Sequence, residues 1–301
     1  MGGERLAGAL YVTVSAMSFG AMAIFARFAY SSGADVVSVL FLRFAIAAAL
    51  MTAVMIAMRH RWPSGRNLAI LVAMGAFGYV AQSLSFFAAL NYASAGLVAL
   101  LLYLYPFIVT ILGALFLREK LTRVRVAAVL VALAGTALTV AGSIQGEPRG
   151  IVLGVSAALL YSIYILVGDR VMREEAPLAA ATVVMIAAAA VFGAMIVAEG
   201  ASWPRTGSGW AAVVAIAVVS TVVAMIGFFA GIQKLGAADA ATLSTLEPIV
   251  TFVLAAVFLG EAIEPNHVAG GAMILAAVIW LMRSGTPLRE PAGATSTSRT
   301  G

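Results

Sequence analysis

Two ionisable side chains, Glu247 and Arg43, lie deep inside long apolar runs of this 301-residue chain, where an isolated charge is costly. Placing either near the middle of a bilayer costs about 3 kcal/mol even on a lenient insertion scale, so each must face a cavity or a partner. A carboxylate there suits recognition of a substrate amine, a cation or a proton. A guanidinium suits a substrate carboxylate. Glu247 precedes Pro248, so its competing role is structural, as an acceptor for backbone loosened by the proline. Arg43 could equally snorkel outward or pair permanently with Glu247, since the two depths differ by only about 6 Å of helical rise.

Tyrosines and small polar residues surround these charges in the neighbouring runs. Tyr103 and Tyr105, Gln82 with Ser83 and Ser85, Tyr161, and Ser244 are the candidates for lining a cavity. Buried tyrosine hydroxyls need partners, whereas serine and threonine in spans usually bond their own helix. Pro106 and Pro248 are candidate hinges, because each removes a backbone donor and displaces the carbonyl four residues earlier. Cysteine is absent and the two histidines, His60 and His267, sit near run ends, so neither a metal site nor a cofactor is expected.

The elements that position these residues must be membrane helices. Apolar residues are 63% of the chain and charged residues 10%, against about 25% charged in soluble domains. Residues 67–117 contain no Asp, Glu, Lys or Arg. As one helix they would extend about 76 Å, over twice a hydrocarbon core of about 30 Å, so the run must turn back, most simply at 91–94. Charge-poor windows predict ten spans at 6–29, 36–58, 68–90, 94–117, 125–142, 150–168, 178–198, 209–231, 237–259 and 266–283. Arg5 followed by an apolar stretch and Ala21-Met22-Ala23 imitates a cleavable leader, but the apolar stretch continues to Phe25, and the first span is expected to be retained. The Ser-, Thr-, Gly- and Pro-rich segment 284–301 is expected to be a disordered cytoplasmic tail.

The chain also repeats itself. At an offset of 142 residues, Phe86-Phe87 returns as Phe228-Phe229, Leu104 and Pro106 as Leu246 and Pro248, and Phe116, Leu117 and Glu119 as Phe258, Leu259 and Glu261. Tyr105 and Glu247 are therefore equivalent positions. Two five-span units, 6–142 and 150–283, follow, and an odd number of spans per unit inverts the second relative to the first. With the N-terminus inside, fourteen Lys and Arg fall in inside segments and two, Arg149 and Arg205, outside. This bias places both termini in the cytoplasm of an inner-membrane protein. The basic loop 118–125 has a repeat mate, 260–267, that keeps the glutamate and loses every Lys and Arg, as inversion requires. Glu119 and Glu261 are expected to brace loop ends, and Gly75, Gly78, Gly227, Gly231, Gly270 and Gly271 to allow close helix approach, with a dimer contact the alternative role of the last two.

Phe41-Leu42-Arg43-Phe44, Tyr105-Pro106 followed by Leu117-Arg118-Glu119-Lys120-Leu121, and Leu246-Glu247-Pro248 followed by Leu259-Gly260-Glu261 resemble the EamA-type members of the drug/metabolite transporter superfamily over roughly residues 6 to 283. Phe19-Gly20 departs from the tryptophan-glycine that the family often has in its first span. The resemblance implies an all-α integral membrane fold of ten helices in two inverted five-helix repeats. It also implies a secondary transporter, with export the expected direction, moving small metabolites or amphipathic drugs by alternating access. The expected partners are a small-molecule substrate, protons and the lipid bilayer, with no nucleic acid, in a monomer or weak homodimer. No nucleotide-binding loop occurs in the sequence. The alternative, an enzyme acting at the bilayer interface, would need an acidic or histidine cluster. Asp169, Glu174 and Glu175 instead lie beside Arg170 and Arg173 as a solvated loop would.

Overall fold

In a computed structural model of the chain, residues 2–89, 92–93, 98, 101–116, 122–139, 147–259 and 263–284 are described, and no β-strand occurs among them. The helices are α1 (Gly2–Gly20), α2 (Met22–Ser31), α3 (Val36–Ala57), α4 (Gly65–Ala73), α5 (Val80–Ala89), α6 (Tyr105–Phe116), α7 (Arg123–Thr139), α8 (Pro148–Val171), α9 (Pro177–Glu199), α10 (Gly207–Ala217), α11 (Ala224–Leu235), α12 (Ala237–Leu243), α13 (Glu247–Leu259) and α14 (Pro265–Arg283). Among the described residues, seven stretches are long and apolar enough to cross a bilayer, accompanied by two shorter apolar helices, Tyr105–Phe116 and Pro265–Leu281. The protein is therefore an all-α, multi-pass membrane protein. Exposed Leu, Val, Ile and Phe on the bundle exterior, such as Leu115, Val197 and Val257, belong against lipid tails.

Local chemistry sets the helix limits. Asp35 caps α3 by accepting a hydrogen bond from the Ser38 backbone N–H, and Thr206 caps α10 through Gly209. Pro148, Pro177 and Pro265 stand in the first turns of α8, α9 and α14, where a missing N–H is harmless. Gly200 (φ 90°) and Gly236 (φ 84°) end α9 and α11 in the left-handed conformation that favours glycine.

Among the described residues, five spans are broken rather than continuous. The first changes helix at Ala21, between α1 and α2. The third and eighth widen into π-helical turns at Met74–Tyr79 and Val218–Val223, whose starts differ by close to the 142-residue offset. The ninth passes through a 3-10 turn at Ser244–Leu246 before α13. Its repeat mate turns at Tyr103 and Leu104 before α6. The expected proline kinks are thus tighter turns placed just ahead of Pro106 and Pro248. The Ser244 carbonyl, deprived of a donor by Pro248, accepts from the Glu247 N–H instead.

The helices on which these breaks sit are held close. α7 and α14 pack along their lengths, as do α1 with α11 and α3 with α9. A Cβ on Gly135 would lie 2.7 Å from the Gly270 carbonyl oxygen. Gly270 and Gly271 are buried, so this face serves packing within the chain rather than the dimer contact suggested by sequence. Of the other glycines, Gly75 presses on the Val184 backbone, while Gly78 has only an ordinary contact with the Tyr164 ring. Glu119, Glu261 and residues 285–301 lie outside the described residues.

Candidate functional site

The breaks converge on a cavity of about 100 Å³ lined by Phe19, Met22, Arg43, Tyr79, Gln82, Ser83, Phe86, Leu102, Tyr105, Tyr161 and Glu247. Glu247 is the first residue of α13, where the positive end of the helix dipole favours a carboxylate. The Tyr103 hydroxyl lies beside that carboxylate, from the matching turn of the other repeat unit. Tyr105 packs edge-on against Tyr161, with ring centroids 4.8 Å apart, and Tyr161 stacks on Phe228 at 6.4 Å. Six sequence candidates, Arg43, Gln82, Ser83, Tyr105, Tyr161 and Glu247, share this one space. Tyr103 reaches it through Glu247. Ser244 does not line it: its hydroxyl is buried beside that of Tyr105, and neither forms a hydrogen bond of normal geometry.

Arg43 and Glu247 make no ion pair, although both face the cavity. The Arg43 Nε donates to Thr221 Oγ1 at 2.8 Å and its Nη2 to the Tyr79 hydroxyl at 2.9 Å. Its guanidinium carbon also lies 4.9 Å from the Phe44 ring centroid. Tyr79 and Thr221 belong to the two π-helical turns. Thr221 passes its own proton to the Ile216 carbonyl, five residues back, at 2.9 Å. Arg43 therefore fastens the two widened turns together. Sequence reading passed over Tyr79 and Thr221 because a tyrosine or a threonine in a span is common; their signal was equivalent placement in spans 3 and 8.

Gly20 lets the first span approach α13 closely beside its break. A Cβ there would lie 2.8 Å from the Glu247 carbonyl oxygen and 2.9 Å from Val250 Cβ. The Gly20 carbonyl accepts from Thr251 Oγ1 at 2.9 Å. Phe19, which departs from the family pattern, lines the cavity beside it. The hydroxyls of Ser156, Ser162 and Thr242 bond carbonyls four residues back in their own helices, the structural role expected of them.

Two clasps flank the cavity at opposite ends of the bundle. At one end Asp239 is buried with Arg125, whose Nε and Nη2 both lie 2.9 Å from Asp239 Oδ1, and with Arg5 at 3.9 Å. Arg5 also donates to the Leu281 carbonyl at 2.9 Å. Sequence reading counted Arg5 and Arg125 only as inside charges that set the topology; the structure buries both. At the other end Asp35 accepts from Ser38 and from the Ser202 N–H, joining the loop before α3 to the loop after α9. Burial alone would raise the Asp35 pKa, but these hydrogen bonds outweigh it and hold the carboxyl below its ordinary value.

The sequence matches the EamA-like transporter family model twice, over residues 6–141 and 148–283, and the chain belongs to that family. It is 28% identical over 285 residues to an uncharacterized transporter, YcbK, of Bacillus subtilis (strain 168), covering 89% of this chain and 90% of that protein. A probable terminal-alkyne amino-acid exporter of Streptantibioticus cattleyicolor is 27% identical over 74% of this chain and 76% of its own length. The aromatic amino acid exporter YddG of Ancylobacter novellus is 27% identical over 60% and 63%. A solved crystal structure superposes with a TM-score of 0.76 at 22% identity, covering 91% of this chain and 96% of that one, which shows a shared fold.

Proposed function

We propose that this protein is a secondary active exporter of small amphipathic amines, amino acids among them, working by alternating access between two inverted five-helix halves, 6–142 and 150–283. The observation that carries this reading is a carboxylate with no ion-pair partner among the described residues, Glu247, in an aromatic cavity where the repeat-related breaks meet. A substrate ammonium would replace the missing cation, and the rings of Tyr105, Tyr161 and Phe19 would hold the apolar part. Arg43 keeps two nitrogens on Thr221 and Tyr79, leaving Nη1 to receive a carboxylate from a zwitterion. The names of the two exporter relatives support an amino-acid class.

A proton and an ammonium compete for the same carboxylate. Glu247 releases its proton when the amine binds and regains one when the amine leaves, so export is driven by inward proton movement. The cavity, at about 100 Å³, is smaller than the roughly 300 Å³ at which ligand pockets begin. The halves must part to load substrate, with Pro106 and Pro248 as the hinges, and the lengthwise pair α7 and α14 serves as scaffold. In the proposed orientation both termini face the cytoplasm, and the proposed functional unit is a monomer.

Counterflow in proteoliposomes tests this reading. Purified protein loaded with unlabelled aromatic or aliphatic amino acids, or amphipathic amines, should accumulate the labelled congener. Glu247→Gln should remove both counterflow and proton release while expression stays near normal. Full counterflow by Glu247→Gln would return Glu247 to a structural role.

A further inference from the structure

A second cavity lies away from the central site, between α4 and α8 at their Arg-rich ends. Its volume is about 460 Å³ and its walls are Ser64, Arg66, Asn67, Ile70, Arg170, Val171 and Glu174. Arg66 and Arg170 approach it from two different helices. Three carboxylates stand close in sequence, yet none pairs with either arginine. Asp169 is engaged by Arg173 at 3.3 Å, and the Asn67 amide holds Glu174 at 3.0 Å and Glu175 at 2.9 Å. Among the described residues neither guanidinium has an ion pair, so both stand open to an anion beside one space.

The apolar surroundings point to the kind of anion. Arg170 Nη2 donates to the Phe116 carbonyl at 3.3 Å, which ties it to the end of α6. Leu115 and Phe116 there are 68% and 65% exposed, a surface that only acyl chains would cover. Ile70 and Val171 form the apolar part of the wall. Trp62, 44% exposed, lies just before α4 at the depth where aromatic residues mark the edge of the bilayer. A basic pocket opening between helices beside lipid-facing side chains fits a phosphate headgroup whose tails continue into the membrane.

We infer that Arg66 and Arg170 bind the phosphate of an anionic phospholipid headgroup in the cavity between α4 and α8. The site joins a helix of each repeat unit at the end of the bundle that faces the cytoplasm in the proposed orientation. Its occupancy does not depend on what the central cavity carries.

The test uses the full-length protein and its Arg66→Gln/Arg170→Gln variant, since both side chains are exposed and their loss leaves the core untouched. Melting by tryptophan fluorescence in phosphatidylcholine nanodiscs checks that the two fold alike. Native mass spectrometry and melting are then repeated with phosphatidylglycerol, and separately with millimolar inorganic phosphate. The expected result is phosphatidylglycerol retention at least fivefold lower in the variant, with a melting rise of a few degrees in the parent protein alone. Equal retention by both proteins overturns the site. A rise produced as fully by inorganic phosphate, and lost in the variant, overturns the lipid as its ligand. No response to either probe overturns the proposal altogether.

Discussion

Replacing Asp239 by asparagine should loosen the whole bundle, because its carboxylate neutralises two arginines that have lost their water. Arg125 directs Nε and Nη2 at Oδ1, each at 2.9 Å, and Arg5 stands 3.9 Å from Oδ2. The side chains are 7%, 7% and 11% exposed for Arg125, Asp239 and Arg5. Removing one member of a buried ionic group costs about 3–5 kcal/mol, since the remaining charge is stranded. Asparagine retains an oxygen acceptor, so about 3 kcal/mol is expected, whereas alanine should cost nearer 5. By the scaling for chains of 150–250 residues, 3 kcal/mol lowers Tm by about 6–12 °C. The four tryptophans report melting in detergent without added dye. The triple variant Arg5→Met/Arg125→Met/Asp239→Leu should recover most of the loss, because apolar residues fill the space and no member of the ionic group remains. A shift within about 1 °C for Asp239→Asn, or equal losses for the single and triple variants, would refute this reasoning.

Three further outcomes are expected. Thr221→Val removes the acceptor of the Arg43 Nε and should cost about 1.5–3 kcal/mol, the range for hydrogen bonds to charged groups, read as a fall in Tm. Gly20→Ala puts a methyl group 2.8 Å from the Glu247 carbonyl oxygen, so counterflow should fall several-fold while the protein still reaches the membrane. Asp35 has a lowered folded pKa, so its contribution is complete above the unfolded value of about 3.9 and disappears as pH falls through the lower folded value. Melting of the parent protein should therefore lose stability below about pH 4 more steeply than that of Asp35→Asn.

The family, the membrane helices and most of the cavity were legible from sequence for a common reason. Charge is so expensive in lipid that Arg43 and Glu247 stand out from apolar surroundings, and Gln82, Tyr105 and Tyr161 lie at similar depths in neighbouring spans. Helix limits were close too: α3 covers Val36–Ala57 where 36–58 was expected, and α9 Pro177–Glu199 where 178–198 was expected. Proline, glycine and capping residues act locally, so their signals survive without tertiary information.

Partnership was another matter. Depth along two helices left open a pair between Arg43 and Glu247; the rotation of α3 sends Arg43 to Tyr79 and Thr221 instead. The same holds for Asp239, which drew no notice among apolar neighbours although it gathers Arg5 and Arg125. Sequence alone determined that these charges must be neutralised or hydrated, because that requirement follows from the solvent. Only the tertiary structure decided by whom, because a side chain's partner depends on how helices far apart in the chain are turned toward one another.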